Sequence, residues 1–235
     1  MHAEDSAESR AASEQLAGFA ARLLDDGLAV GSAGNLSMRL GAAVAITPSG
    51  VSYRDMRASD ICMISPDVAG LGAAQVASRE PSSEAPMHLA IYAATNAAAV
   101  VHTHSPEVIA LSCSCDELPA VHYAITGLGG PVRVAPYARF GSDALAQGAV
   151  RALDGRSAAI LQNHGAVTCG RTLAEAYDRA LLVEWLAHIY RLARAHGTPR
   201  ILTAAELGEV TAEMRRRRYG EPRLLDGEPP AQWPA

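Results

Sequence analysis

The stretch AAAVVHTHSP, residues 97–106, carries most of the information about the fold. Its continuous run of small and β-branched residues is typical of a strand buried in a sheet, and Pro106 ends that strand because proline has no N–H for the ladder. Successive strand side chains point to opposite faces, so His102 and His104 project from the same face. Two imidazoles placed in this way can share a metal ion, although spacing alone leaves open one core and one surface histidine.

A third histidine strengthens the metal prediction. The segment AAILQNHGAVTCG, residues 158–170, contains two β-like runs that meet in a tight connection around His164, where a side chain can be directed into a cleft. Three neutral imidazoles leave the charge of a divalent ion uncompensated and one coordination position open, as in catalytic zinc sites. We therefore predict that His102, His104 and His164 bind zinc, with manganese, iron and cobalt as alternatives.

The residues before this strand predict one long helix and three strands. The helix is expected from about Asp5 to Asp26, with Asp5 and Glu8 as a capping box and Gly27 at its end. Strands are expected at residues 35–38, within AVAITPSG (43–50) and at 60–65, and the Gly- and Ala-rich residues 66–78 are expected to form a loop or hairpin.

The rest of the chain predicts further strands interspersed with helices. Short strands are expected in VHYAI (121–125) and PVRVAPY (131–137). Helices are expected from Glu107 to about Cys113, after the cap Ser142 to Leu153, from Thr172 with Glu175 as its capping-box partner to about Ala195, and from about Thr203 to Arg218. This alternation predicts one layered α/β domain that includes antiparallel strand pairs.

Composition narrows the range of partners. The 235-residue chain has 20 basic residues against 25 acidic ones, a balance that disfavours a general nucleic-acid binder. No apolar run approaches the roughly 18 residues that span a bilayer, and the N-terminus is acidic where a signal peptide is basic. We expect a cytoplasmic protein that binds small molecules rather than nucleic acid or membranes. The four cysteines lack paired metal-ligand spacing and are expected to be reduced, mostly buried thiols: Cys62, Cys113, Cys115 and Cys169.

One carboxylate and three turns could complete a catalytic site. Glu84 is expected in the first turn of a helix whose N-cap is Ser82 or Ser83, and it is the candidate metal ligand or general base, although the helix dipole alone also favours glutamate there. His88, one helical turn later, could orient it. Three turns offer N–H groups and small side chains to phosphate oxygens, each alone a weak signal: Gly34 with Asn35, Ser49 with Gly50, and Ser82 with Ser83.

Taken in order, these pieces resemble the class II aldolase family, typified by L-fuculose-1-phosphate aldolase. The matching motifs are GSAGNLSMR, ITPSG, PSSEAPMH, VVHTHSP, the HY of residues 122 and 123, APYARFG, QNHGAVTCG and RRRRYG. The resemblance implies a three-layer α/β/α domain, residues 1–220, with a central mixed, largely antiparallel sheet covered by helices on both faces. It also implies a homotetramer with active sites near subunit interfaces. Residues 221–235, rich in proline, are expected to form a flexible tail.

The resemblance further implies a reversible aldol cleavage of a ketose 1-phosphate into dihydroxyacetone phosphate and an aldehyde. The three histidines would hold zinc, and Glu84 would remove the proton next to the carbonyl. Tyr123 of a neighbouring subunit would protonate the aldehyde half, Phe140 would line the aldehyde side, and Tyr219 matches a mobile C-terminal tyrosine. The substrate phosphate would be held by Gly34, Asn35, Ser49, Gly50, Ser82 and Ser83. The chain contains no lysine, which excludes the imine route of the other aldolase class.

Other activities on the same fold remain open. The family fold also hosts sugar-phosphate 4-epimerases, methylthioribulose-1-phosphate dehydratases and sugar-acid phosphate decarboxylases. Glu84 weighs against the epimerase, which has aspartate at that position. A non-catalytic interaction domain like the head of adducin is the remaining alternative, and retention of the three histidines argues against it. The implied aldehyde is L-lactaldehyde, although related enzymes act on 5-deoxypentose phosphates.

Overall fold

The structure is a computed structural model that describes residues 7–65 and 79–219. Within these residues eight strands form one sheet in the order β3-β2-β1-β4-β8-β7-β6-β5. The strands are β1 (Asn35–Leu40), β2 (Ala43–Ile46), β3 (Cys62–Ile64), β4 (Ala99–Thr103), β5 (Glu117–Leu118), β6 (Val132–Ala135), β7 (Ala158–Leu161) and β8 (Gly165–Gly170). Every neighbouring pair is antiparallel except β6 and β7, which confirms the mixed, largely antiparallel sheet.

Helices cover both faces of this sheet, as the three-layer prediction requires. The helices are α1 (Ala7–Asp25), α2 (Ala85–Ala94), α3 (Pro106–Ser112), α4 (Asp143–Ala152), α5 (Leu173–His196) and α6 (Ala204–Arg217). Buried side chains of α2 and α4 pack on one face of the sheet, and those of α1, α3 and α5 pack on the other. No helix among the described residues is long and apolar enough to cross a membrane.

Strand β4 lies at the centre of the sheet, between β1 and β8, and all five of its residues are buried. Val100 packs in the cluster under α2 and α4, and Val101 packs in the cluster on the opposite face. Because strand side chains alternate, His102 points to the same face as Val100, toward the start of α2. The central strand therefore places its histidine beside the segment that contains Glu84.

Most predicted elements and several caps are confirmed. The helix after Ser142 begins with its hydroxyl accepting the N–H of Leu145. Thr172 caps α5 by accepting the N–H of Glu175 at 3.1 Å, but the Glu175 carboxylate accepts the N–H of Arg171 at 2.7 Å, so the predicted capping box is only half formed. The predicted Asp5 cap, the loop at 66–78 and the tail at 221–235 lie outside the described residues.

Two local predictions are wrong. Residues 121–125 do not form a strand, because the His122 side chain accepts the N–H of Ala124 and starts a short 3₁₀ helix, Tyr123–Leu128. Neither Ser82 nor Ser83 caps α2, which begins at Ala85 with Glu84 in the cap position. The Ser82 hydroxyl instead accepts the N–H of Glu84 at 3.2 Å, within the turn that precedes the helix.

The predicted burial of the cysteines also needs correction. All four cysteines are free, but Cys113 is exposed and Cys115 is half-buried, so only Cys62 and Cys169 are core thiols. Exposure of Cys113 and Cys115 follows from their place at the end of the short helix α3.

Candidate active site

The three predicted histidines converge at one end of the central strands. Strands β4 and β8 are paired, with Thr103 opposite Ala166, so the turn before β8 lies beside the end of β4. The rings of His102, His104 and His164 meet edge to face, with centroids 4.8–4.9 Å apart. One side-chain atom from each, together with a carboxylate oxygen of Glu84, lies within 4.8 Å of the others.

The backbone conformation of the turn before β8 brings His164 close to His102 and His104. A Cβ on Gly165 would lie 2.0 Å from the carbonyl oxygen of Thr103, so only glycine lets the turn rest against the end of β4. The preceding Asn163 has a φ of 56°, a left-handed conformation that asparagine tolerates better than most residues. The sequence Asn163-His164-Gly165 therefore fixes the direction of the imidazole between two backbone constraints.

Hydrogen bonding sets the tautomer of His102. Its Nδ1 lies 2.8 Å from the carbonyl oxygen of Ala166, which can only accept, so Nδ1 carries the proton. The other nitrogen, Nε2, lies 2.9 Å from Nε2 of His104 and 3.0 Å from Oε2 of Glu84. Several atoms with lone pairs thus surround one small volume, and a cation bound there would stabilise their close approach.

The electrostatics agree with this arrangement. Burial, assisted by the neighbouring His102, lowers the pKa of His104 to about 3 and that of His164 to about 4, so both rings are neutral and their lone pairs are free for metal binding. Burial opposes ionisation of Glu84, but His102 and His164 lower its pKa well below the ordinary range. Burial also disfavours a charged His102, yet the Glu84 carboxylate raises the pKa of that ring overall.

The carboxylate of Glu84 is buried, and its two oxygens have different surroundings. Its Oε2 accepts a hydrogen bond from Nδ2 of Asn35 at 3.0 Å, whereas Oε1 lies 3.3 Å from Nε2 of His164 and, within the described residues, accepts no hydrogen bond. A buried carboxylate oxygen without a donor is costly unless a cation or a proton reaches it. Three neutral imidazoles and this carboxylate fit a divalent cation such as zinc.

A cavity of about 460 Å³ opens beside this cluster. The three turns predicted to bind phosphate all line it, as do Glu84, His104 and His164. An isolated bridge between Pro48 and Pro81 holds two of these turns together, and the N–H of Ser82 donates to the carbonyl of Thr47 at 3.1 Å. These contacts hold the turn after β2 against the turn before α2 at the cavity wall.

The predicted aromatic residues divide between two places. Phe140 lines the cavity and is 59% exposed. Tyr123 and Tyr219 do not line it, and instead face a separate apolar groove beside α6 with Val210 and Met214. Within one chain the structure therefore brings together the metal ligands, the base candidate and the turns, but not these two tyrosines.

Several cavity residues were missed by the sequence reasoning, and Tyr137 has the largest side chain among them. Tyr137 lines the cavity near Phe140, is 66% exposed, and has its N–H fixed by Oε1 of Gln162 at 2.8 Å. Its position within the APYARFG motif was the available signal, since that motif also contains Phe140. The cavity lining therefore combines the polar turns with the exposed rings of Tyr137 and Phe140.

Comparison with known proteins agrees with the geometry. Residues 14–191 match the family described as "Class II Aldolase and Adducin N-terminal domain". The chain belongs to this family. A "5-methylthioribulose-1-phosphate/5-deoxyribulose-1-phosphate aldolase" of Rhodospirillum rubrum is 38% identical over 205 residues, which cover 86% of this chain and 90% of the relative. An "L-fuculose phosphate aldolase" of Escherichia coli K12 is 39% identical over 166 residues, which cover 70% of this chain and 75% of the relative.

A solved structure supports the same assignment. The "L-fuculose 1-phosphate aldolase" structure superposes with a TM-score of 0.81 at 33% identity, covering 89% of this chain and 97% of that one. This class II aldolase is thus an enzyme of the lyase type, and its homologues act on small phosphorylated sugars. Class II aldolases depend on a metal ion, and the cluster of His102, His104, His164 and Glu84 is where this chain can hold one.

Proposed function

We propose that this class II aldolase cleaves a ketose 1-phosphate into dihydroxyacetone phosphate and an aldehyde, with zinc as its metal. The observation that carries the proposal is the three-histidine cluster with the buried carboxylate of Glu84 at the edge of a cavity lined by three turns. His102, His104 and His164 would hold the ion. When bound, a divalent cation supplies Lewis acidity that stabilises negative charge on the oxygen of a substrate carbonyl.

Glu84 moves the proton in this proposal. In the condensation direction its carboxylate takes a proton from the carbon next to the carbonyl of dihydroxyacetone phosphate, and the C–H electron pair enters an enediolate. That carbon then attacks the aldehyde, whose oxygen becomes a hydroxyl on gaining a proton. Cleavage is the reverse, and Glu84 returns its proton to the carbon that the broken C–C bond leaves behind. The low pKa of Glu84 is consistent with a carboxylate that is ionised at the start of the condensation direction.

The phosphate would bind at the polar turns that line the cavity. The N–H groups of Ser49 and Ser82 are already bonded to the carbonyls of Glu80 and Thr47. We therefore propose that the serine hydroxyls, together with the backbone of Gly50 and Ser83, contact the phosphate oxygens. Gly34 belongs to the same wall, and its φ of 81° and close approach to the carbonyl of His102 explain why glycine is needed there.

The aldehyde side favours a small apolar group. Tyr137 and Phe140 present exposed rings to the cavity, and apolar surface binds methyl or thioether groups better than hydroxyls. The Rhodospirillum rubrum relative is named for two ketose phosphates whose fifth carbon has no hydroxyl group. We propose 5-deoxyribulose 1-phosphate and its methylthio analogue as preferred substrates over L-fuculose 1-phosphate. The aldehyde product is then acetaldehyde or (methylthio)acetaldehyde rather than L-lactaldehyde.

Assembly and location complete the proposal. Tyr123 lies outside the cavity of its own chain, so a role for its hydroxyl in catalysis requires a neighbouring subunit. We propose a cytoplasmic homotetramer in which Tyr123, and Tyr219 on the same groove, reach the site of another subunit. Residues 1–220 would form the aldolase domain, which the family match to residues 14–191 supports, and 221–235 would form a flexible tail.

A retro-aldol screen tests the proposed reaction. Zinc-loaded protein is incubated with 5-deoxyribulose, 5-methylthioribulose and L-fuculose 1-phosphates, and dihydroxyacetone phosphate is measured with a coupled dehydrogenase. We expect its release, with the highest kcat/KM for the 5-deoxy substrates, and a loss of roughly 100-fold or more in Glu84→Gln. Loss of water without cleavage would assign the protein to the dehydratases, and epimer formation alone would also overturn the proposal.

A further inference from the structure

A buried chain of polar side chains leads from α2 to the carboxylate of Glu84. The hydroxyl of Tyr92 lies 2.8 Å from Oγ of Ser37, which lies 2.6 Å from Nδ1 of His88. On the other side of its ring, Nε2 of His88 lies 2.5 Å from Oδ1 of Asn35. The amide Nδ2 of Asn35 donates to Oε2 of Glu84 at 3.0 Å, which completes the chain.

The donors and acceptors in this chain can be matched in one order. The Glu84 carboxylate only accepts, so Nδ2 of Asn35 faces it and Oδ1 faces His88. Oδ1 must accept, so Nε2 of His88 carries a proton. Burial, assisted by His102, lowers the pKa of His88 to about 3, so the ring is neutral and Nδ1 accepts from Ser37.

We propose that His88 and Asn35 are positioning residues that set which oxygen of Glu84 moves the substrate proton. The Nε2–H of His88 fixes the orientation of the Asn35 amide, and the amide N–H in turn holds Oε2. Oε1, which accepts no hydrogen bond within the described residues, is left as the oxygen that exchanges the proton. This inference rests on the proposed role of Glu84 as the base.

The need for His88 follows from the symmetry of an amide group. The terminal torsion of asparagine has two broad orientations, which exchange the oxygen and the nitrogen. Without a donor from His88, the Asn35 amide can rotate and present its oxygen to the carboxylate of Glu84. The two groups would then repel each other, and the carboxylate would lose its fixed position. Both ends of the Asn35 side chain are engaged in this way, and the side chain is buried.

Two substitutions of His88 separate positioning from packing. The amide nitrogen of glutamine can occupy the place of Nε2 and still donate to Asn35, whereas the shorter asparagine reaches only the place of Nδ1. We expect His88→Asn to slow the exchange of the dihydroxyacetone phosphate α-proton with solvent deuterium by roughly 10- to 100-fold, at unchanged zinc content and KM. His88→Gln should recover most of that loss.

A surface histidine supplies the control. His188 bonds to Glu107 on the other side of the sheet, so His188→Asn should leave the exchange rate unchanged. Equal exchange rates in His88→Asn and His88→Gln, whether normal or slow, would overturn the inference. A change confined to KM would overturn it too, because that result would make the chain part of the phosphate site.

A second measurement needs no variant. The ¹⁵N shifts of the wild-type histidines report which ring nitrogen carries the proton, and we expect a neutral His88 with its proton on Nε2. A proton on Nδ1, or on both nitrogens, would overturn the inference even if the variants fail to fold. If the zinc-loaded wild type neither exchanges the α-proton nor cleaves any ketose phosphate, the proposed function fails, while the ¹⁵N shifts still decide the part played by His88.

Discussion

Single residues decide whether the ends of β4 and β8 can touch, and Gly165 is the clearest case. Its missing side chain lets the backbone of the His164 turn rest on the carbonyl of Thr103. The same contact places Nε2 of His164 at 3.3 Å from Oε1 of Glu84. Metal binding and local stability are therefore linked through one glycine.

Gly165→Ala is expected to damage both properties. A Cβ 2.0 Å from a carbonyl oxygen forces the turn away from β4, which should cost at least about 2 kcal/mol of unfolding free energy and weaken zinc binding. Gly18→Ala is the matched control, since a Cβ there meets nothing within 4 Å in the middle of α1 and should stabilise the helix by up to about 1 kcal/mol. Chemical denaturation and zinc titration measure the two effects, and a Gly165→Ala protein as stable as wild type would contradict this account of the turn.

The residues that could be predicted from sequence are those whose role depends on local geometry. His102 and His104 share a face because strand side chains alternate, and that rule needs no knowledge of the fold. The relation between Glu84 and His88 depends also on where α2 begins and on which strand packs beside it. A helix that included Glu84 would place the two side chains one turn apart, but α2 begins at Ala85, and the contact of His88 is with Asn35 of β1 instead.

Among the elements, the contact between α3 and α5 supports the short segment between β4 and α3, which contains His104. The Glu184 carboxylate of α5 accepts the N–H groups of Glu107 and Val108 at 3.0 Å each, at the start of α3. The Glu107 side chain in turn pairs with Arg191 and His188 of α5. Helix α3 thus has its free N–H groups satisfied by another helix rather than by its own cap, Ser105, which makes no side-chain cap bond.

Glu184→Ala should therefore destabilise the protein. Removing the acceptor leaves two partly buried N–H groups unbonded, with an expected cost of about 1–2 kcal/mol in the unfolding free energy. Glu14→Ala, on the exposed face of α1, is the control and should change stability by less than about 0.5 kcal/mol. Urea denaturation followed by circular dichroism compares the two variants; an equal effect of both would rule out a special role for Glu184 at α3.

Periodicity predicted most elements because an amphipathic helix or a buried strand shows its pattern in a short window. It failed at residues 121–125, where the apolar run is short and a side-chain bond from His122 to its own backbone decides the conformation. It also missed β5, Glu117–Leu118, since two residues hold no period. The start of α2 was misplaced because the Ser82 hydroxyl accepts a hydrogen bond within the preceding turn instead of capping the helix.

At the scale of the whole molecule, sheet order assembles the site. Segments far apart in sequence, β1, β4 and β8, are neighbours at the centre of the sheet, which brings Asn35 opposite His102 and places the His164 turn beside both. The sequence pattern predicted a layered α/β domain, and the family resemblance implied three layers and a mixed sheet. Strand order, however, depends on contacts between distant segments that no local pattern contains. The position of Tyr123 outside the cavity is likewise visible only in the folded chain.

Shared active sites are tested by mixing two inactive variants. If Tyr123 acts in a neighbouring subunit, Glu84→Gln and Tyr123→Phe proteins unfolded and refolded together should regain activity, because some mixed sites contain both native residues. Random assembly restores about a quarter of the sites. Each variant refolded alone is the control. A mixture no more active than its components, or a native protein that is monomeric by light scattering, would contradict a shared site.

The central claim is that zinc, held by His102, His104 and His164, is required to release dihydroxyacetone phosphate from a ketose 1-phosphate. The most direct test is to strip the protein with a chelator, return zinc in steps, and follow product release from 5-deoxyribulose 1-phosphate at each step. We expect no release from the stripped protein and a rate that rises until one zinc ion is bound per chain. Release by metal-free protein, or none from the fully loaded protein, would contradict the account.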